Sequence, residues 1–289
     1  MTDALQLTVA GLSFGAIYGL IAVGYVAIFT VSQVINLAQG EFAITGAMIA
    51  IATTAAGVAL PLALVAGIVG GGVLAIIVQR LVLAPIKKLT VLTSVILTLG
   101  ASAVIKAVLL LSFGPSAHSL PPLPGSDLTI LGVTARAQEL WIFGATVVIA
   151  VVLAWFYDRT LPGKALRACA QQPAAARLAG ISVNGAAVVA FAIAGTTAAL
   201  AGILSSPLHF TAWDSGLALG LKGFVAAAIA GLVSVRAAIV GGLLLGVVES
   251  LVAGYIDSGY RDAVAFVVLI VVLILRPQGI FGRQAEVRV

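Results

Sequence analysis

Asn36, Gln39, Gly40 and Glu41 are the densest polar group in this chain, in the stretch Val34-Ile35-Asn36-Leu37-Ala38-Gln39-Gly40-Glu41-Phe42. Residues 5–29 before it are almost wholly apolar, and residues 43–56 after it carry no charge. A carboxylate in such surroundings is costly unless it faces water, a cavity or a partner. The adjacent glycine lets the backbone bend or come close to another helix. Two readings of Glu41 stay open. In one it is a first-turn carboxylate, with Asn36 as cap, where the helix dipole favours negative charge. In the other it belongs to a gate or solute path, and an ion-coupled transporter using Glu41 is the alternative mechanism.

A second polar series lies in residues 91–111. Thr98, Ser102 and Lys106 are four apart and share a helical face. They read as interhelical hydrogen bonding with Lys106 snorkelling to the interface, or as the lining of a translocation path. A third group falls in residues 158–184, the only sizeable polar stretch with several positive charges: Arg159, Lys164, Arg167 and Arg177. Residues 163–172 read as a short helix and Pro173 as the start of another. By the positive-inside bias this loop is cytoplasmic, and it is suited to docking.

Much chemistry is missing. Gly163-Lys164 is followed by Ala165 with no glycine five before, so no nucleotide loop is formed. No His-Glu-x-x-His motif, paired cysteines or Ser/His/Asp constellation occurs, so neither a metal site nor an enzyme is expected. The lone Cys169 reads as an inert small residue. His118 reads as a loop residue, and the spacing of His209 and Asp214 is too irregular for an acid–base pair.

The elements that must position these residues are membrane helices. Of 289 residues, 62% are hydrophobic and 9% charged, against about 25% charged in a soluble domain. The net charge of +5 is confined to short loops, which does not suggest nucleic acid. The class is all-α polytopic membrane protein. Apolar runs fall at residues 5–29, 42–58, 60–78, 91–111, 140–157, 186–204, 224–233, 237–252 and 263–275. Given the ambiguity of the shorter runs, about eight to ten are spans. Met1 to Leu7 lacks Lys and Arg, so the first run reads as a retained span.

Gly11, Gly15 and Gly19 mark a close helix seam. Gly70-Gly71-Gly72 marks either a helix crossing or a break. Arg80, Lys87 and Lys88 form a basic loop around Pro85, and Trp141 and Trp155 read as interfacial anchors. Residues 112–138 are proline-rich and read as an external loop, with a small hairpin at 129–134. Residues 205–222 read as irregular. Arg276, Arg283 and Arg288 place the C-terminal tail in the cytoplasm. Ile68-Val69-Gly70-Gly71 recurs as Ile239-Val240-Gly241-Gly242, a faint inverted repeat.

Three stretches together resemble a known family. Asn36-Leu37-Ala38-Gln39-Gly40-Glu41 is similar to the Asn-x-Ala-x-Gly-Glu signature of LivH-type permease subunits of branched-chain amino acid ABC transporters, with Gln39 in place of a frequent histidine. Gly163-Lys164-Ala165-Leu166-Arg167-Ala168 and Ala175-Ala176-Arg177-Leu178-Ala179-Gly180-Ile181 resemble its ATPase-docking loop. Leu275-Arg276-Pro277-Gln278-Gly279-Ile280-Phe281-Gly282 resembles its ending.

The resemblance implies one transmembrane permease domain over residues 1–289, a type II-like importer permease in a bacterial inner membrane. It implies a second permease subunit, forming a heterodimer, two cytoplasmic ATPases that bind the ATP and Mg, and a periplasmic solute-binding protein. Asn36, Gln39, Gly40, Glu41, Thr98 and Ser102 would serve the gate or solute path. Gly163, Lys164, Arg167, Ala168, Gly180 and Ile181 would couple to the ATPases.

Overall fold

The computed structural model describes residues 2–86, 90–130 and 133–282. Lys87, Lys88, Arg283, Arg288 and the hairpin tip at 131–132 lie outside the described residues. In chain order the helices are α1 (Thr2–Ser32), α2 (Gln39–Ala55), α3 (Leu60–Ile77), α4 (Val91–Phe113), α5 (Ala137–Arg159), α6 (Leu161–Gln171), α7 (Pro173–Leu178), α8 (Val183–Ser205), α9 (Gly216–Ala230), α10 (Val235–Tyr255) and α11 (Arg261–Leu275). A hairpin of β1 (Leu128–Ile130) and β2 (Val133–Ala135) precedes α5, paired antiparallel with Thr129 opposite Thr134. Among the described residues, seven helices are long and apolar enough to cross a membrane: α1, α3, α4, α5, α8, α10 and α11 with short extensions. The chain is a polytopic helical membrane protein.

Lipid as solvent inverts the usual polarity of a helix. In α4, Leu92, Ile96, Val104, Val108 and Leu111 face outward, while Ser94, Thr98 and Ser102 are buried. Apolar side chains cost nothing against lipid, so the hydroxyls go inward to find partners. α1 is the centre of the bundle, buried on most faces and packed against α5, α8, α9 and α10.

With no hydrophobic drive between helices in lipid, close packing of small residues holds the bundle. Gly11, Gly15 and Gly19 of α1 meet Gly246, Gly242 and Ile239 of α10 in antiparallel order. α3 lies on α8 in the same way, with Gly67, Gly71 and Gly72 against Ile203, Ala199 and Thr196. The triple glycine therefore lies in an unbroken helix and marks a crossing.

Several elements differ from the sequence expectation. The third span does not end near Val78 but runs on through a π turn, Val78–Leu83, so Arg80 lies in helix rather than in a loop. Residues 205–222 are not irregular throughout, because helix resumes at Gly216. Intrinsic propensity disfavours Gly216, Gly220 and Gly223 in helix. Packing overrides it: these three lie against Glu41, Gly40 and Ile21, where a side chain would not fit. α9 stops at Ala230, three residues before the expected end, and Gly231 adopts φ +88°.

Candidate functional site

α2 begins at Gln39, not Phe42, and nothing in its side chains caps it: the N-cap is Ala38. Asn36 lies two residues too early to cap. Its Oδ1 accepts from the Ala38 amide at 3.1 Å, an Asx turn that folds residues 33–38 back into the bundle. Gln39 thereby comes level with Gly24 of α1 and donates through Nε2 to the Ala194 carbonyl of α8 at 3.0 Å. The start of α9 arrives at the same place. Gly40 packs on Gly216 and Gly220, and Gly216 packs on the Glu41 carboxylate.

Glu41 is fully buried in the first turn of α2. Ser102 donates to its Oε1 at 3.0 Å, and Lys106 Nζ stands 3.7 Å from the same oxygen. Lys106 does not snorkel to an interface: the buried carboxylate across the α2–α4 contact draws it inward, to 21% exposure. Thr98 accepts from the Leu37 amide at 3.1 Å, so α4 also holds the break before α2. Glu41 lies in the first turn of α2 and against Gly216, the first residue of α9. This placement favours an anion by about 0.3–1 kcal/mol per helix.

The six residues expected at the gate are thus gathered around one helix break. Tyr25 Oη, Asn36 Nδ2, Gln39 Oε1 and Glu41 Oε2 have no hydrogen-bond partner in the protein. Leaving such a group unmet in a dry interior costs about 1–3 kcal/mol. A cluster of them around one break is where water or solute would be accepted.

A second buried charge cluster is not visible in the sequence as a constellation. Glu249 in α10 is fully buried, and its Oε2 accepts from Tyr18 Oη at 2.8 Å and from Lys222 Nζ at 3.2 Å. Lys222 also pairs with Asp262 at 2.7 Å, and Arg261 Nε lies 3.7 Å from Glu249. These residues come from α1, α9, α10 and α11, so no local spacing could reveal them. His209 does not approach Asp214 but stands edge-on to Phe14, with ring centroids 5.2 Å apart. His118 joins Thr211 through a pair of backbone hydrogen bonds of 2.9 and 2.7 Å.

At one end of the bundle α6 and α7 form an elbow. Thr160 caps α6 by accepting from the Gly163 amide at 3.1 Å. Gly163, Leu166 and Cys169 are buried, three apart, and Ala168 is partly covered beside them. Gly163 packs against the backbone of Phe156 and Tyr157, which a side chain would not allow. Lys164 is exposed. Arg167 reaches back to α5, donating to Asp158 Oδ1 at 2.8 Å and to the Tyr157 carbonyl. α7 closes with a Schellman turn, in which Gly180 takes φ +80° and the Ile181 amide donates to the Ala176 carbonyl at 2.9 Å. Ile181 then joins a cluster of Leu166, Cys169, Ala176 and Val31, which seats the elbow on the last turn of α1 and the start of α8.

Comparison with known proteins places this geometry in a family. Residues 7–273 match the family model described as branched-chain amino acid transport system / permease component. The chain is 33% identical to the high-affinity branched-chain amino acid transport system permease protein BraD of Pseudomonas aeruginosa, over 96% of each. It is 30% identical to the permease protein LivH of the corresponding high-affinity system of Escherichia coli, again over 96% of each. Its fold is similar to a chain of PsaBC from Streptococcus pneumoniae solved in complex with a Fab, with TM-score 0.54, 12% identity and coverage of 96% and 93%. This chain belongs to the family of branched-chain amino acid transport permease components.

Proposed function

We propose that this chain is one of two permease subunits, paired as a heterodimer, of an ATP-driven importer for branched-chain or related amino acids in a bacterial inner membrane. The observation that carries the reading is near-full-length kinship with BraD and LivH. Two cytoplasmic ATPases bind ATP and Mg, since the chain offers no nucleotide loop, and a periplasmic protein delivers solute.

The α6–α7 elbow is the ATPase contact, with Lys164 outward and Arg167 tying the elbow to α5. ATPase closure pushes the elbow, and the push passes to α5 through Arg167, Asp158 and Tyr157, and to α1 and α8 through Val31 and Ala186. The tail residues 276–282 pack beside Gly231 at that same end, so the C-terminus is cytoplasmic in this reading. Residues 112–138 lie at the other, external end.

The nine long or intermediate helices among the described residues are all passes, the starts of α2 and α9 meeting beside the break. The two sets α1–α4 and α8–α11 are inverted repeats. α10 packs on α1 as α3 packs on α8, and α9 on α1 as α2 on α8. The helix break at residues 33–38 and the first turn of α2 then lie on the solute path between the repeats.

The test is co-purification of the tagged chain expressed with its neighbouring genes. A second permease and two ATPases should come with it, and a loaded binding protein should stimulate ATP hydrolysis. Recovery of the chain alone, active in ion-driven uptake, would refute the proposal.

A further inference from the structure

At the external end, away from the elbow, a half-open cavity of about 250 Å³ lies between α1, α9, α11 and the segment after α8. One wall is apolar, made by Phe14, Ile17, Ala218 and Leu219. The lining also carries Lys222, Arg261 and Asp262, with Arg261 lying beside Phe14. Behind them lies Glu249, whose Oε1 is buried and has no hydrogen-bond partner among the described residues.

The four charges sum to zero and are linked in a chain of ion pairs. Lys222 is committed, held between Glu249 at 3.2 Å and Asp262 at 2.7 Å. Arg261 is not. Its guanidinium rests on the Phe14 ring at 4.0 Å from the centroid, and its Nε is buried without a hydrogen-bond partner. Asp262 uses Oδ1 on Lys222 and is 81% exposed, so a carboxylate oxygen is left for another cation. A planar guanidinium with spare donors recognises a carboxylate. A partly engaged carboxylate beside it recognises an ammonium. The apolar lining beside them would hold an aliphatic side chain.

We infer that this cavity is an external receiving site for a free amino-acid zwitterion, Arg261 taking the carboxylate, Asp262 the ammonium, and Phe14, Ile17 and Leu219 the apolar side chain. The inference rests on the importer reading and adds to it a solute contact within this subunit, apart from the break at Glu41. A net-neutral quartet of Lys222, Arg261, Glu249 and Asp262 favours a ligand without net charge, because a ligand lacking either charged group leaves Arg261 or Asp262 without its partner.

The experiment uses the assembled importer carrying Cys169→Ala and Ala218→Cys, in nanodiscs of anionic lipid with no zwitterionic headgroup. A polar maleimide reports access to the cavity in the absence of binding protein. L-leucine slows labelling by a factor of 1 + [L]/Kd, about fivefold at four times Kd. At equal concentration, leucinamide, which lacks the carboxylate, and 4-methylpentanoate, which lacks the ammonium, do not protect. Arg261→Gln and the more exposed Asp262→Asn each abolish protection by leucine.

Labelling that leucine does not slow, or a thiol that does not react at all, in a complex that still imports leucine overturns the site and leaves the importer reading standing. Equal protection by all three ligands also overturns it. A complex that assembles but imports no branched-chain amino acid refutes the importer reading instead.

Discussion

Gly40→Ala tests whether the crossing of α2 and α9 is as tight as the geometry requires. A Cβ at this position would lie 2.6 Å from the Gly216 carbonyl carbon and 2.8 Å from the Gly220 amide nitrogen. Ordinary contact begins at 3.4 Å. Both obstacles are backbone, as is the still nearer Gly216 carbonyl oxygen, so no rotamer change relieves them and the two helix starts must part by more than 1 Å. Overpacking of this kind costs about 1–3 kcal/mol. The displacement also moves Gly216 off the Glu41 carboxylate and weakens the dipole support there.

Gly100→Ala is the control. Gly100 is in the middle of α4, faces outward and has nothing within 4 Å of a new Cβ. It should be neutral or stabilising by about 0.5–1 kcal/mol. Thermal unfolding of the purified complex, followed by loss of the monodisperse peak, should fall for Gly40→Ala by about 2–4 °C per kcal/mol, and uptake should fall with it. Wild-type stability and uptake in Gly40→Ala would refute the crossing.

Lys222→Met leaves Glu249 buried with one cation fewer and should destabilise by about 3–5 kcal/mol; Lys222→Met/Glu249→Gln should recover much of that loss in the same thermal assay. Glu41→Gln keeps a hydrogen-bond acceptor for Ser102, so ATP-driven uptake should persist and should stay insensitive to protonophores; uptake that becomes uncoupled from an ion gradient would revive the ion-driven mechanism. Arg167→Glu sets like charges against Asp158 at an exposed site worth about 0.2–1 kcal/mol; membrane insertion should be normal, transport should drop, and Arg167→Asp/Asp158→Arg should restore part of it in an uptake assay.

Lipid made most of the helices legible. A span needs a long uninterrupted apolar run, so residues 91–111 and 186–204 read as helices and appear as α4 and α8. The misses lie where packing overrules local propensity. Gly216-Leu217-Ala218-Leu219-Gly220 looks like a loop by composition. It is helix because only glycine lets α9 approach Gly40 and Glu41. The end of α3 was lost for a related reason: Arg80 signals a loop when counted as charge, yet a π turn carries the helix past it.

The polar residues divide according to how far their partners lie along the chain. Thr98, Ser102 and Lys106 were legible as one face because a helix repeats every 3.6 residues. That they converge on Leu37 and Glu41 needed the fold. Glu41 itself announced two roles, and the structure shows why they are hard to separate. The same carboxylate that stabilises the start of α2 also receives α9 and the face of α4, so a residue placed there for packing is already at the break. Glu249 follows the same logic from the other half, with α9 again supplying a contact, now through Lys222. In both clusters an acid in a small-residue seam is neutralised by a lysine one helix away. A buried acid that must be neutralised fixes which helices can be neighbours. The two clusters therefore specify the packing of α2 on α4 and of α9 on α10, where a bilayer and a run of alanine, valine and glycine would not.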